Sequence, residues 1–166
     1  MNHFQRDMDP MQSLGIGLGK KIKAMMTKSG EFDEDDYNDH YRVWEWALEK
    51  KKNFVFPYLV AMNGKKWVDG ATIDVSDGNN ELLWISIDAG NMQAIKAILS
   101  ITGLFRKEIL TLEVGTSELE GEFTMRGDSK RPMRATNFGV FLNNAKDKEM
   151  EDLLLNYYHN ELHQTR

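Results

Sequence analysis

The sequence predicts a two-layer α+β domain. Its antiparallel sheet has about six strands in the order α-βββ-α-βββ-α, with helices on one face and an N-terminal arm in front. Three observations carry this. Between Phe54 and Asp88 lie three short apolar runs, separated by the turn signals Asn63-Gly64 and Asp77-Gly78-Asn79-Asn80. Ser117–Met125 alternates cleanly, with Leu119, Gly121, Phe123 and Met125 on one side and Glu118, Glu120, Glu122 and Thr124 on the other. Around these runs, apolar residues recur at helical spacing: Tyr37, Tyr41, Trp44 and Leu48 early, and Met150, Leu153, Leu154, Tyr157 and Leu162 late.

Taken in order, the arm begins at Asp9-Pro10, a cap followed by a proline suited to a first helical turn. Leu14, Leu18, Ile22 and Met25 follow at helical spacing beside Lys20, Lys21 and Lys23, while Gly15, Gly17 and Gly19 each weaken a helix by about 1 kcal/mol. Residues 1–32 are read as this arm and an acidic connector, and 33–166 as a single domain. Asp33 or Asp35 caps the helix that carries the aromatic stripe, and Lys50, Lys51 and Lys52 close it with charges suited to its negative end. Phe54–Met62 is the first strand, placed at an edge by Pro57, which has no N–H for a central ladder. Trp67–Ser76 and Leu82–Ile87 are the second and third strands. Asp88 or Asn91 caps a helix bearing Met92, Ile95, Ile98, Leu99 and Phe105. Lys107–Val114, Ser117–Met125 and Met133–Leu142 complete the strands around a basic loop at Gly127–Pro132, and 144–163 is the last helix.

This order of elements resembles that of class I type III secretion chaperones over residues 33–163. The resemblance is one of topology; it implies a small acidic dimer that holds a segment of another protein.

The composition bounds the chemistry. With 166 residues, 41% hydrophobic and 28% charged, the chain can bury a real core. It has no Cys, which removes disulfides, thiolate nucleophiles and Cys-bound zinc. No apolar run approaches the ~20 residues that cross a bilayer, and the first twelve residues lack a secretory layout, so a cytoplasmic location is expected. The net charge of −5 conceals blocks. Residues 1–28 hold five Lys/Arg against two Asp, 31–41 hold six carboxylates and no Lys/Arg, and 42–66 hold six Lys/Arg against two Glu.

Motifs for catalysis are thin. Gly15-Ile-Gly-Leu-Gly-Lys-Lys21 lacks the Gly-Lys-Ser/Thr ending of a phosphate loop. The histidines stand at 3, 40, 159 and 163; His159 and His163 share a helix face, but without the Glu placement of a metalloprotease. Asp69, Asp74, Asp77 and Asp88 lack the oxygen spacing of a calcium loop, and Asp77-Gly78 reads as turn chemistry. Arg126-Gly127-Asp128 reads as a chance tripeptide in a loop. No catalytic residue, metal site or cofactor is expected.

The expected function is therefore a non-enzymatic protein-binding module of chaperone, immunity or inhibitor, or phage host-modulating type, forming a homo-oligomer. Its site would be the open face of the sheet, which gathers Asp74, Trp84, Glu113, Glu118, Glu120 and Glu122 for a basic partner. The alternative is nucleic-acid binding through Lys50, Lys51, Lys52, Lys65 and Lys66, beside Phe54, Tyr58 and Trp67, and through the basic loop with Arg126, Lys130, Arg131 and Arg134. Membrane contact by the arm is not expected, because one short segment without a lipid anchor binds only marginally.

Overall fold

The computed structural model describes residues 10–30, 40–67, 72–124 and 130–164. It is mostly helical, and the expected six-stranded sheet is absent. Among the described residues seven α-helices are accompanied by one two-stranded antiparallel hairpin. The chain divides into two compact units, Met1–Val75 and Ser76–Arg166.

In the first unit, α1 spans Pro10–Ser29, α2 His40–Lys50 and α3 Val55–Ala61. Helix α2 buries Val43, Trp44, Trp46 and Ala47, and Trp44 meets Phe56 with ring centroids 4.8 Å apart. It ends on Lys51 at φ 56°, with the Lys52 N–H donating back to the Ala47 carbonyl at 2.9 Å. Tyr37 and the proposed caps Asp33 and Asp35 lie outside the described residues, as do Asp9, Asp69 and Met125.

Phe54–Met62 is thus a helix where a strand was expected. Val55, Phe56, Leu59 and Met62 are buried at a spacing that suits one helical face. Pro57 falls in the first turn, where backbone N–H groups have no intrahelical acceptor, so its missing donor costs nothing there. Asn63-Gly64 does turn the chain, with Gly64 at φ 80°. It leads out of α3 into a loop closed by Gly64 N–H to the Ile73 carbonyl (2.7 Å) and Ile73 N–H to the Lys65 carbonyl (3.1 Å). Among the described residues a single bridge, Lys66 to Thr72, stands where the strand Trp67–Ser76 was expected.

The packing of α1 explains its glycines. A Cβ on Gly15 would overlap the Met62 thioether, and one on Gly19 would overlap the Trp67 indole and the Tyr58 hydroxyl, whereas Gly17 faces open space. Gly15, Gly19, Ile22 and Met26 form the buried face. Tyr58 donates its hydroxyl to the Gly15 carbonyl, and the Trp67 indole N–H donates to the Tyr58 oxygen.

In the second unit, α4 spans Asp77–Ala89, α5 Met92–Leu99, α6 Phe138–Asn143 and α7 Lys148–Gln164. A 3-10 turn covers Lys107–Ile109; β1 is Thr116–Thr124 and β2 Lys130–Thr136. Leu82–Ile87, expected as a strand, is the middle of α4. Burial there follows the helical period, with Leu82, Leu83, Ser86 and Ile87 inside while Trp84 is exposed. The Ser86 hydroxyl is satisfied by the Leu82 carbonyl at 2.7 Å. Helix α4 stops at Gly90 in the left-handed region, and the Asn91 side chain caps α5 by accepting from the Ala94 N–H at 3.0 Å. Lys107–Val114 forms the 3-10 turn and an irregular segment where a strand was expected, and Met133–Leu142 is split between the end of β2 and α6. Phe105, Phe138, Phe141 and Tyr157 gather in the core of this unit. The topological resemblance to secretion chaperones rested on two strand triplets and lapses with them.

Candidate functional site

The site with both shape and chemistry lies in the second unit, around Trp84. Two turns of α4 place Trp84 and Asp88 on one outward face, four residues apart. The segment after α6 supplies Asn144 and Lys146 opposite them. Trp84, Ile85, Ile87, Asp88, Asn144 and Lys146 line an open cleft of about 330 Å³. Three of the lining residues are apolar and three polar, a mixture usual in small binding clefts.

Several contacts hold the walls in place. Trp84 packs edge-on against Phe141 at 5.3 Å, and Phe141 itself is fully buried against Phe105. The Asn144 amide donates to the Val140 carbonyl at 2.7 Å, which fixes that side of the rim. Asp147 caps α7 through the Met150 N–H at 2.9 Å, and the Lys146 N–H donates to the Met150 sulfur at 3.4 Å. The Lys146 ammonium lies 3.8 Å from the Asp88 carboxylate, whose side chain is 87% exposed. An ion pair that long and that wet is worth at most ~1 kcal/mol, so Asp88 can exchange it for another cation.

Trp84 is set apart from the other tryptophans. It is 37% exposed, whereas Trp44, Trp46 and Trp67 are 2% exposed or less. A large half-exposed aromatic held rigidly by a buried neighbour is the kind of residue that anchors an interface.

The other members of the expected acidic face are dispersed. Asp74 belongs to the first unit, where its backbone carbonyl accepts from the His40 ring at 2.8 Å. Glu113 is exposed on the irregular segment before β1. Glu118, Glu120 and Glu122 lie on the backbone of β1, and their side chains fall outside the description. The register sets β1 against the basic strand β2: Glu118 is opposite Arg134, Glu122 opposite Pro132, Phe123 opposite Arg131 and Thr124 opposite Lys130. The acidic run and the basic run, expected to serve different partners, thus form two strands of one hairpin. Arg126 and the Arg126-Gly127-Asp128 tripeptide lie outside the described residues.

The aromatics proposed beside Lys50, Lys51, Lys52, Lys65 and Lys66 are largely committed elsewhere. Trp67 is buried against Gly19, and Tyr58 is hydrogen-bonded to α1. Only Phe54 among those three is classed as exposed. Burial of the Tyr58 phenol raises its pKa to about 12, against a smaller lowering by the Trp67 N–H. His159 and His163 sit on α7, and among the described residues no three His or carboxylates cluster to hold a metal.

Sequence reasoning singled out Trp84 but missed Asn144 and Lys146, and it took Asp88 as a helix cap and as one of four aspartates weighed against a calcium loop. The signal for Asp88 was its spacing from Trp84, which has meaning only once 77–89 is read as a helix. No known protein family, curated protein or solved structure matches the chain.

Proposed function

We propose that the chain is a protein-binding module whose second unit takes a short peptide segment of another protein at Trp84. The supporting observation is the exposure of this one tryptophan in a cleft it lines with Ile85 and Ile87, beside the Asp88 carboxylate, which is nearly all in water. The occupant would present one large apolar side chain to Trp84 and Ile85, and a cationic group beside it to Asp88. Such a contact is small, so the complex would be weak and readily reversed.

Selection from a displayed library of random peptides, with the full chain as bait, tests this reading. The selected peptides should pair an aromatic or large aliphatic residue with a nearby Lys or Arg. Trp84→Ala should abolish their binding, and Asp88→Asn should favour peptides without the cation. Selected peptides that bind Trp84→Ala as tightly as the parent protein would overturn the assignment.

A further inference from the structure

Helix α1 leaves a second apolar row facing outward. Its inward face is the glycine stripe of Gly15 and Gly19 with Ile22 and Met26. Of the row Leu14, Leu18, Ile22 and Met25 that the sequence offers at helical spacing, only Ile22 belongs to that inward face. Leu14, Leu18, Lys21, Met25 and Lys28 fall at i, i+4, i+7, i+11 and i+14, one continuous line. Leu14 is 71% exposed and Met25 36%, Leu18 is half-buried, and Lys21 and Lys28 are exposed within the same line. No Asp or Glu occurs in the twenty residues of α1.

We propose that this face of α1 lies on an anionic lipid surface. The apolar side chains enter the boundary between headgroups and acyl chains, and the lysines sit among the lipid phosphates and carboxylates. Both halves of the row are used in this arrangement. A nucleic-acid backbone would engage the lysines but gain nothing from Leu14, Leu18 and Met25. A second copy would set lysines against lysines. No helix among the described residues is long and apolar enough to cross a membrane, so α1 would rest in the plane of the surface. The acidity of the rest of the chain does not prevent this, since its repulsion is screened beyond about 10 Å at ordinary ionic strength. This surface belongs to the first unit and does not depend on the Trp84 cleft.

Each lysine near an anionic leaflet strengthens binding roughly fivefold, so Lys21 and Lys28 together give roughly a twenty-five-fold preference for anionic over neutral lipid. The test is co-sedimentation of the full chain with vesicles of phosphatidylcholine alone or with about 30% phosphatidylserine, up to roughly 1 mM lipid, at low and high salt. The expected result is binding to the serine-containing vesicles only, lost at high salt. It should fall roughly twenty-five-fold in a Lys21→Gln, Lys28→Gln protein, and clearly also in Leu14→Gln, Met25→Gln. All four substitutions are at exposed positions, and circular dichroism checks that the helices persist. Absence of binding to anionic vesicles at low salt overturns the proposal, as does equal binding to neutral ones. Binding that ignores Leu14 and Met25 while an oligonucleotide or acidic peptide competes for the lysines also overturns it, since the face would then serve a polyanion other than lipid.

Discussion

Gly19 sits directly against Trp67: a methyl group placed on it would overlap the indole nitrogen, with the Tyr58 hydroxyl only slightly farther away. The contact closes α1 onto α3 and the loop after it, and explains a glycine in a helix that would otherwise be better without it.

That geometry separates three glycines that look alike in sequence. Gly17→Ala meets nothing within 4 Å and should stabilise the fold by up to ~1 kcal/mol through helix propensity. Gly19→Ala must displace a buried indole, and overpacking of ~1–3 kcal/mol should outweigh the same propensity gain. Gly15→Ala meets the Met62 thioether, a flexible side chain that yields more readily, so it should fall between them. Urea denaturation of the three variants gives the order. A Gly19→Ala protein as stable as Gly17→Ala would show that α1 does not approach Trp67 this closely.

Tyr157 donates its hydroxyl to Glu161 at 2.8 Å, and the Gly103 N–H donates to the same carboxylate oxygen, with both side chains nearly buried. Burial first, and then the neighbouring carboxylate, push the phenol pKa well above its ordinary value. Tyr58 is also raised, to about 12. The sign follows from linkage. Below pH 10 both states keep the phenolic proton and stability does not change on this account. Above pH 10 the unfolded chain loses it while the fold retains it, so stability falls as pH rises. Urea midpoints should therefore decline from pH 10 upward, and Tyr157→Phe should flatten that decline. At neutral pH the same variant removes a hydrogen bond from buried Glu161 and should cost about 1–3 kcal/mol. A slope unchanged by Tyr157→Phe would place the alkaline sensitivity elsewhere.

The sequence was most legible where apolar spacing was long. Trp44 and Leu48 on α2, Ile95 and Ile98 on α5, and Met150, Leu154 and Tyr157 on α7 all lie in helices with the residues in the expected order. It misled where the apolar run was short. Phe54–Met62 and Leu82–Ile87 are rich in β-branched and aromatic residues, and alternation and helical period cannot be told apart over six to nine positions. Pro57 reinforced the error, since an edge strand and a first helical turn both tolerate a missing N–H. Trp84 drew notice as an aromatic on the face expected to be open, yet the residues that surround it did not. Lys146 lies 62 positions away in sequence, and only the packing of Trp84 on Phe141 brings that segment alongside. For Glu118, Glu120 and Glu122, nothing in their own strand reveals that Arg134 lies opposite Glu118.

Trp84 offers a spectroscopic handle on its cleft. With Trp44, Trp46 and Trp67 buried, acrylamide should quench one emission component far more readily than the rest. Trp84→Phe should remove that accessible component and leave a blue-shifted, poorly quenched spectrum. Substitution by Phe retains an aromatic ring toward Phe141, so the fold should lose little stability. If quenching persists at the same rate in Trp84→Phe, another tryptophan is exposed in solution and the cleft is not built as described.

Gly139 links the walls of that cleft to the segment before β1. Its N–H donates to the Thr111 carbonyl at 2.9 Å, and a Cβ there would strike the carbonyl oxygens of both Leu112 and Glu113. These are backbone atoms and cannot swing aside as a side chain can, so α6 and the segment must separate for any larger residue. Gly139→Ala should therefore cost about 3 kcal/mol, the upper end of ordinary overpacking. Gly115→Ala, whose added methyl would meet the Asn137 amide at an ordinary 3.8 Å, should be mild. Because α6 also carries Phe141, a displaced α6 should loosen Trp84 and raise its acrylamide quenching in Gly139→Ala. Loss of stability with unchanged Trp84 quenching would mean that the segment yields and α6 stays, which would separate the support of the cleft from the contact at Gly139.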